Sequence, residues 1–168
     1  MLPTQILSVH KSIEIRASSE QAFLTFTQQM HRWWPKEHHI GSQPFVEIVC
    51  EPHNGGRWYE VGSDGSECEW GTVLLWEPPV RLKLSWHLDG DFQFNPDPER
   101  ASEVEVSFTS IDNGRTRLEL DHRHIERHGP SAERLRTAVD DPNGWTFVLE
   151  QYAAWANENA NTQTGGQK

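Results

Sequence analysis

The order of alternating segments in this chain predicts an α+β fold, a seven-stranded antiparallel sheet with a long C-terminal helix against its apolar face. Three observations carry that prediction. Residues 55–88 alternate around a Ser63-Asp64-Gly65-Ser66 turn, carry four of the eight tryptophans and break at Pro78-Pro79, which is a hairpin signal followed by a further strand. Residues 102–111 and 115–125 alternate on either side of Asp112-Asn113-Gly114. Trp145, Leu149, Tyr152 and Ala156 then recur at helical spacing, the stripe of a helix that must cover a sheet face.

In chain order, residues 7–15 place Leu7, Val9, Ile13 and Ile15 on one face at period two, as a first strand does. Ser18 opens a short helix, with Gln21 at capping-box spacing and Phe23, Phe26 and Met30 as its apolar stripe. Trp33-Trp34-Pro35 ends it, because proline disfavours helical geometry in the preceding residue. Strands follow at 45–52, 56–61, 67–76 and 81–88. In the last of these, Leu82, Leu84 and Trp86 share the face opposite Arg81, Lys83 and Ser85. Residues 89–101, with two prolines and several acids, read as an exposed loop. The final helix is expected over 131–158, interrupted near Asp141-Pro142-Asn143-Gly144. Without repeats or an internal boundary, residues 5–158 are expected as one domain and 159–168 as a flexible tail.

A chain of 168 residues can bury roughly 70% of its unfolded surface, so its core needs no disulfide or metal. Hydrophobic content is only 35% and mean hydropathy is -0.72. Eight Trp and seven Phe nevertheless concentrate burial, each on the order of 150–250 Å². A net charge of -10 with no run of Lys and Arg argues against nucleic acid as a partner. No apolar stretch approaches the about 20 residues of a membrane span, and the N-terminus lacks the marks of a signal peptide. Cys50 and Cys68 fall on predicted strands, where a reduced pair in a cytoplasmic protein is the expectation.

Several short features follow one another over residues 7–157. They are Trp33-Trp34-Pro35 with His38 and Gly41, the Gly55-Gly56-Arg57-Trp58 opening, the Asp64-Gly65-Ser66-Glu67 turn and Trp70-Gly71. Trp76-Glu77-Pro78-Pro79 with Arg81-Leu82, the strand 103–108, His122-Arg123 with Glu126, and Gly144-Trp145 complete the set. In order and spacing they resemble the START-like helix-grip superfamily (SRPBCC), in its branch related to the activator of the ninety-kilodalton heat-shock chaperone's ATPase. That resemblance implies a curved sheet wrapped around the long C-terminal helix, with a short helix after the first strand and a cavity between sheet and helix. It implies no single role, since such relatives include lipid carriers, hormone receptors, aromatase/cyclases and chaperone co-regulators.

On such a sheet the enclosed face gathers Trp58, Trp70 and Trp86, with Trp145 from the helix. These can wall a pocket for an apolar or aromatic ligand, their indole N–H groups serving as anchors. Period two puts His122 and His124 beside Leu118 and Leu120, as polar lining of the cavity or its rim. Two histidines so spaced can ligate a metal, but spacing fixes no third ligand among His128, His53, Glu60 and Glu69, so no metal and no other cofactor is expected. Hairpin register decides which glutamate points inward. With Glu60 opposite Cys68, Trp58, Glu60, Cys68 and Trp70 share a face and Glu69 pairs with Arg57 outside; a one-residue slip reverses this. An inward carboxylate near His122 can act as acid or base. His38-His39, after Trp33-Trp34-Pro35, sit in a loop that can cover the cavity mouth, with a solvated pair the expected reading over a ligand-gating one. No serine or cysteine stands in an activated context. The expectation is a protein that binds a small hydrophobic or aromatic molecule through Trp58, Glu60, Trp70, Trp86, His122 and Trp145, without turnover. The alternatives are a cofactor-free cyclase or hydrolase using a His/Glu pair, and a chaperone ATPase co-regulator. A homodimer is left open.

Overall fold

The computed structural model describes residues 7–166, with side chains described to Asn159. Each alternating segment forms a strand: β1 Val9–Ile15, β2 Phe45–Cys50, β3 Arg57–Gly62, β4 Glu67–Glu77, β5 Arg81–Trp86, β6 Ser102–Asp112 and β7 Arg115–Arg123. They join in one sheet of order β1-β7-β6-β5-β4-β3-β2, antiparallel throughout. Period two sets the inward face. Val104 opposes His122, Val106 opposes Leu120 and Phe108 opposes Leu118, and all six are buried.

Glu60 lies opposite Cys68. This register turns Glu60 inward to full burial and leaves Glu69 outside, accepting from Arg57 Nε at 2.9 Å. One step further the ladder slips between Trp58 and Tyr59, so Trp70 is the extra residue of a bulge, which re-aims its side chain. Gly71 follows because a Cβ there would lie 1.7 Å from the Ser85 carbonyl oxygen, an approach only glycine permits.

Helix α1 spans Ser19–Gln28, with the Ser18 hydroxyl accepting from Gln21 N at 3.1 Å. The Gln21 side chain bonds Thr25 Oγ1 instead of reaching back, so only half of the capping box forms. The helix breaks at Gln29 and resumes as α2, Met30–Trp33, before Pro35. The C-terminal helix is divided where proline and glycine predict it: α3 Ala132–Asp140, a π-helical turn Pro142–Thr146, and α4 Phe147–Gly166. The expected end at 158 is corrected, because the helix continues to Gly166 with Asn159 Nδ2 donating to Trp155 O at 2.8 Å. Residues 167–168 of the expected flexible tail lie outside the described residues, as do 1–6.

Trp145, Val148, Leu149, Tyr152 and Ala156 are buried against the sheet, and Tyr152 Oη donates to Ala22 O at 2.8 Å, tying α4 to α1. The sheet therefore grips the C-terminal helices as the helix-grip fold requires. Cys50 and Cys68 are free thiols, and burial pushes the Cys50 thiol up to about 12. Among the described residues no helix is long and apolar enough to cross a membrane.

Candidate ligand cavity

The sheet does not close completely on the helices, and a cavity of 830 Å³ remains. Trp70, Trp86 and Leu88 line it from the sheet side. The loop after α2 contributes Trp34, Glu37, His38, His39 and Ile40, and Phe92 comes from the loop after β5. Glu133, Arg134, Thr137, Ala138 and Val139 of α3, with Asp141, Asn143, Gly144, Trp145 and Val148 beyond it, complete the lining.

Of the six residues expected at the site, Trp70, Trp86 and Trp145 line this cavity, whereas Trp58, Glu60 and His122 stand behind its wall. The Trp58 ring packs 5.2 Å from Trp70 and 5.9 Å from Trp86, and its Nε1 donates to Met30 Sδ at 3.3 Å. The idea of indole anchors is also corrected, because every indole N–H on the cavity is already spent inside the protein. Trp34 Nε1 donates to His38 O at 2.9 Å and Trp86 Nε1 to Leu88 O at 2.8 Å. Trp70 Nε1 donates to Glu60 Oε1 at 2.9 Å and Trp145 Nε1 to His122 Nδ1 at 3.1 Å. A donor with one hydrogen has no second bond to offer. The wall offers apolar ring surface and no free indole N–H, with neighbouring rings inclined by 46–85°.

Behind Trp145, the fully buried His122 has a fixed tautomer. Its Nδ1 accepts from the indole, so its Nε2 carries the proton and donates to Ser102 Oγ at 2.8 Å. Ser102 Oγ in turn donates to His128 Nε2 at 2.8 Å, the same nitrogen that accepts from Ser102 N. Burial, reinforced by His128, drives His122 down to about 3, and burial takes His128 to about 4. Both rings are neutral structural polar groups at neutral pH. His124 does not share this face. Strand β7 ends at Arg123, and His124 turns into left-handed backbone at φ 62 to start the next helical turn. Its ring then faces Glu103 at 3.8 Å and Glu126 at 3.6 Å. Among the described residues no group of three or more His, Cys, Asp and Glu is arranged to hold a metal ion.

Behind Trp70, the Glu60 carboxylate collects three donors. Oε1 accepts from Ile40 N at 2.7 Å as well as from Trp70, and Oε2 accepts from Gly41 N at 3.2 Å. A Cβ on Gly41 would lie 3.1 Å from Oε2 and 3.3 Å from Cys68 Sγ, so glycine lets the backbone come this close. Gly41 O accepts from His39 Nδ1 at 2.8 Å. His38 and His39 line the cavity, the less expected of the two readings the sequence offered for this loop. Burial lowers His38 from its ordinary value, against the opposing pull of Glu37. Phe92, in the loop expected to be exposed, also reaches the lining. The sequence signal for His38 and His39 was the inward Glu60 itself, whose need for donors brings the loop over.

The family model for activator of Hsp90 ATPase homolog 1-like proteins matches residues 16–156. The chain belongs to that family. Among solved structures it is similar to an anthrahydroquino-gamma-pyrone synthase, Txn09, with 40% identity over 91% of this chain and 99% of that one, at a TM-score of 0.64. It is also similar to CalC from Micromonospora echinospora, a self-sacrificing resistance protein, with 29% identity over 91% and 96% of the two chains and a TM-score of 0.69. Protein MLL2253 from Mesorhizobium loti shares the fold, with 19% identity over 88% and 94% of the chains at a TM-score of 0.61. No curated protein sequence matches the chain.

Proposed function

We propose that this chain is a ring-forming synthase that binds a planar polycyclic aromatic molecule, bearing phenolic or quinone oxygens, in the 830 Å³ cavity. The observation that carries this is the wall of four indole rings, in a chain 40% identical to a synthase of an anthrahydroquino-gamma-pyrone. The volume suits several fused rings, within the roughly 300–1,000 Å³ of small-molecule sites. Aromatic walls without a free N–H favour apolar ring systems by area burial and by edge or face contacts with the indoles. Polar contacts come from other elements: Glu37, His38 and His39 after α2, Thr137 on α3, and Asp141 and Asn143 at the turn.

Pyrone closure is redox-neutral. The phenolic oxygen adds to a side-chain carbonyl carbon, a C–O bond forms and the phenol's proton passes to a base. The carbonyl oxygen, protonated to a hydroxyl as that bond forms, then leaves as water with a second proton from an acid. As it leaves, the side-chain carbon beside it gives up a proton to a base and the ring C=C bond forms. His38, kept neutral by burial, and His39 have the chemistry for these transfers. Flat phenolic polycycles should quench tryptophan emission saturably at one per chain. An anthrahydroquinone with an open dicarbonyl side chain should return a product lighter by one water. No saturable quenching by any such polycycle removes the proposal. Binding with quantitative recovery of unaltered ligand instead supports a second reading, sequestration without turnover, which the likeness to the resistance protein CalC favours.

A further inference from the structure

We infer that Glu60 is a positioning residue that sets His39 as the hydrogen-bond acceptor for a ligand hydroxyl. The inference rests on the reading of the cavity as a site for a hydroxylated polycycle. It starts from a cost. Glu60 has 0% exposure, and among the described residues no Lys, Arg or His forms an ion pair with it. Burying a carboxylate without a cation is unfavourable unless N–H donors replace water. Three do so, and each belongs to the cavity's frame: Ile40 N and Gly41 N from the cover loop, and Trp70 Nε1 from the wall. The carboxylate thus fastens the loop to the tryptophan face.

The consequence falls on His39. Glu60 holds the Gly41 N–H, and the carbonyl of Gly41, in the next peptide group, accepts a hydrogen bond from His39 Nδ1. A carbonyl only accepts, so Nδ1 is the protonated nitrogen and Nε2 keeps its lone pair. His39 lines the cavity, so this ring offers an acceptor where the four indoles offer none. It is the counterpart of a carboxylate that orients a histidine directly, with the backbone of one residue, Gly41, and its two peptide groups interposed. Gly41 is part of the device, since its missing Cβ lets the carboxylate and the Cys68 sulfur pack against it.

The test compares 1-hydroxypyrene with 1-methoxypyrene, a pair differing in one donated hydrogen bond, by tryptophan-quenching titration at pH 7. Wild type should prefer the hydroxyl compound by about fivefold to tenfold, the worth of one such bond. His39→Phe and Glu60→Gln should each bring the ratio close to one, the hydroxyl compound losing more affinity than the methoxy compound. Gly41→Ala leaves Glu60 in place and should lower the ratio as well, which covers the case in which Glu60→Gln fails to fold. A ratio unchanged in the folded variants overturns the inference. So does a variant that weakens both compounds equally, because Glu60 then acts through the fold alone. If neither compound binds wild type, the cavity reading itself falls and takes this inference with it.

Discussion

Glu60 and His122 both have zero exposure behind the tryptophan wall, yet they hold its two ends by opposite chemistry. At the Trp70 end an acceptor-only carboxylate gathers three N–H groups, two of them backbone. At the Trp145 end a neutral imidazole accepts from the indole and passes its own proton to Ser102 and on towards His128. The difference is in what each end connects. Glu60 ties the wall to a loop that lines the cavity, whereas His122 ties it to strands β6 and β7. One end shapes the site, and the other fixes the wall to the core.

The largest expected effect tests the Glu60 end. Glu60→Ala leaves three buried donors without an acceptor and opens a void, so urea unfolding at pH 7.5 should show a loss of about 3–5 kcal/mol. A loss below about 1 kcal/mol would mean that water reaches those donors and that the latch is loose. The His122 end should be weaker but sensitive to pH. His122→Phe keeps a ring in place and deprives Trp145 and Ser102 of partners, at a cost of about 1–3 kcal/mol at pH 7.5.

The sign of the pH effect follows from the lowered value of His122. In the unfolded chain the ring takes a proton near its ordinary value of 6.5, while in the fold it resists until about 3. Stability from this group is complete above 6.5 and drains as pH falls towards 3, at about 1.4 kcal/mol per pH unit. His128, lowered to about 4, pulls in the same direction. The His122→Phe variant should therefore have a shallower acid slope, and its stability should approach that of wild type near pH 4.5. Parallel curves would place His122 in contact with water.

The same contrast separates what could be read in the chain from what could not. The faces of β6 and β7 were legible as far as His122, because alternation alone fixes which side chains enter a half-buried sheet. His124 was not, since the left-handed residue that ends the strand leaves the alternating pattern unbroken in the letters. The hairpin reading was right about Glu60 once its partner was Cys68. Trp70 was legible as its neighbour on the hairpin face, but the other two donors were hidden, because they come from a loop some twenty residues earlier. Cavity residues such as His39, Phe92 and Thr137 belong to separate segments with no shared period. Only the three-dimensional closure of loops over the sheet brings them together.

The smallest effect expected is the one between the two ends. Glu60 and His122 share no hydrogen-bond partner, and the path between them is a chain of rings. Trp70 meets Trp58 at 5.2 Å, Trp58 meets Trp86 at 5.9 Å and Trp86 meets His122 at 5.0 Å. Edge-on and tilted ring contacts of this kind contribute about 0.5–1.5 kcal/mol each, but they survive when either anchor is exchanged for a group of similar volume. Losses from Glu60→Gln and His122→Phe should therefore add, with a double-mutant coupling within about 0.5 kcal/mol. A coupling above about 1 kcal/mol would show that tilting one indole tilts the next. The wall would then act as a single rigid unit, and ligand affinity would respond to His122 even though the ring never touches the cavity.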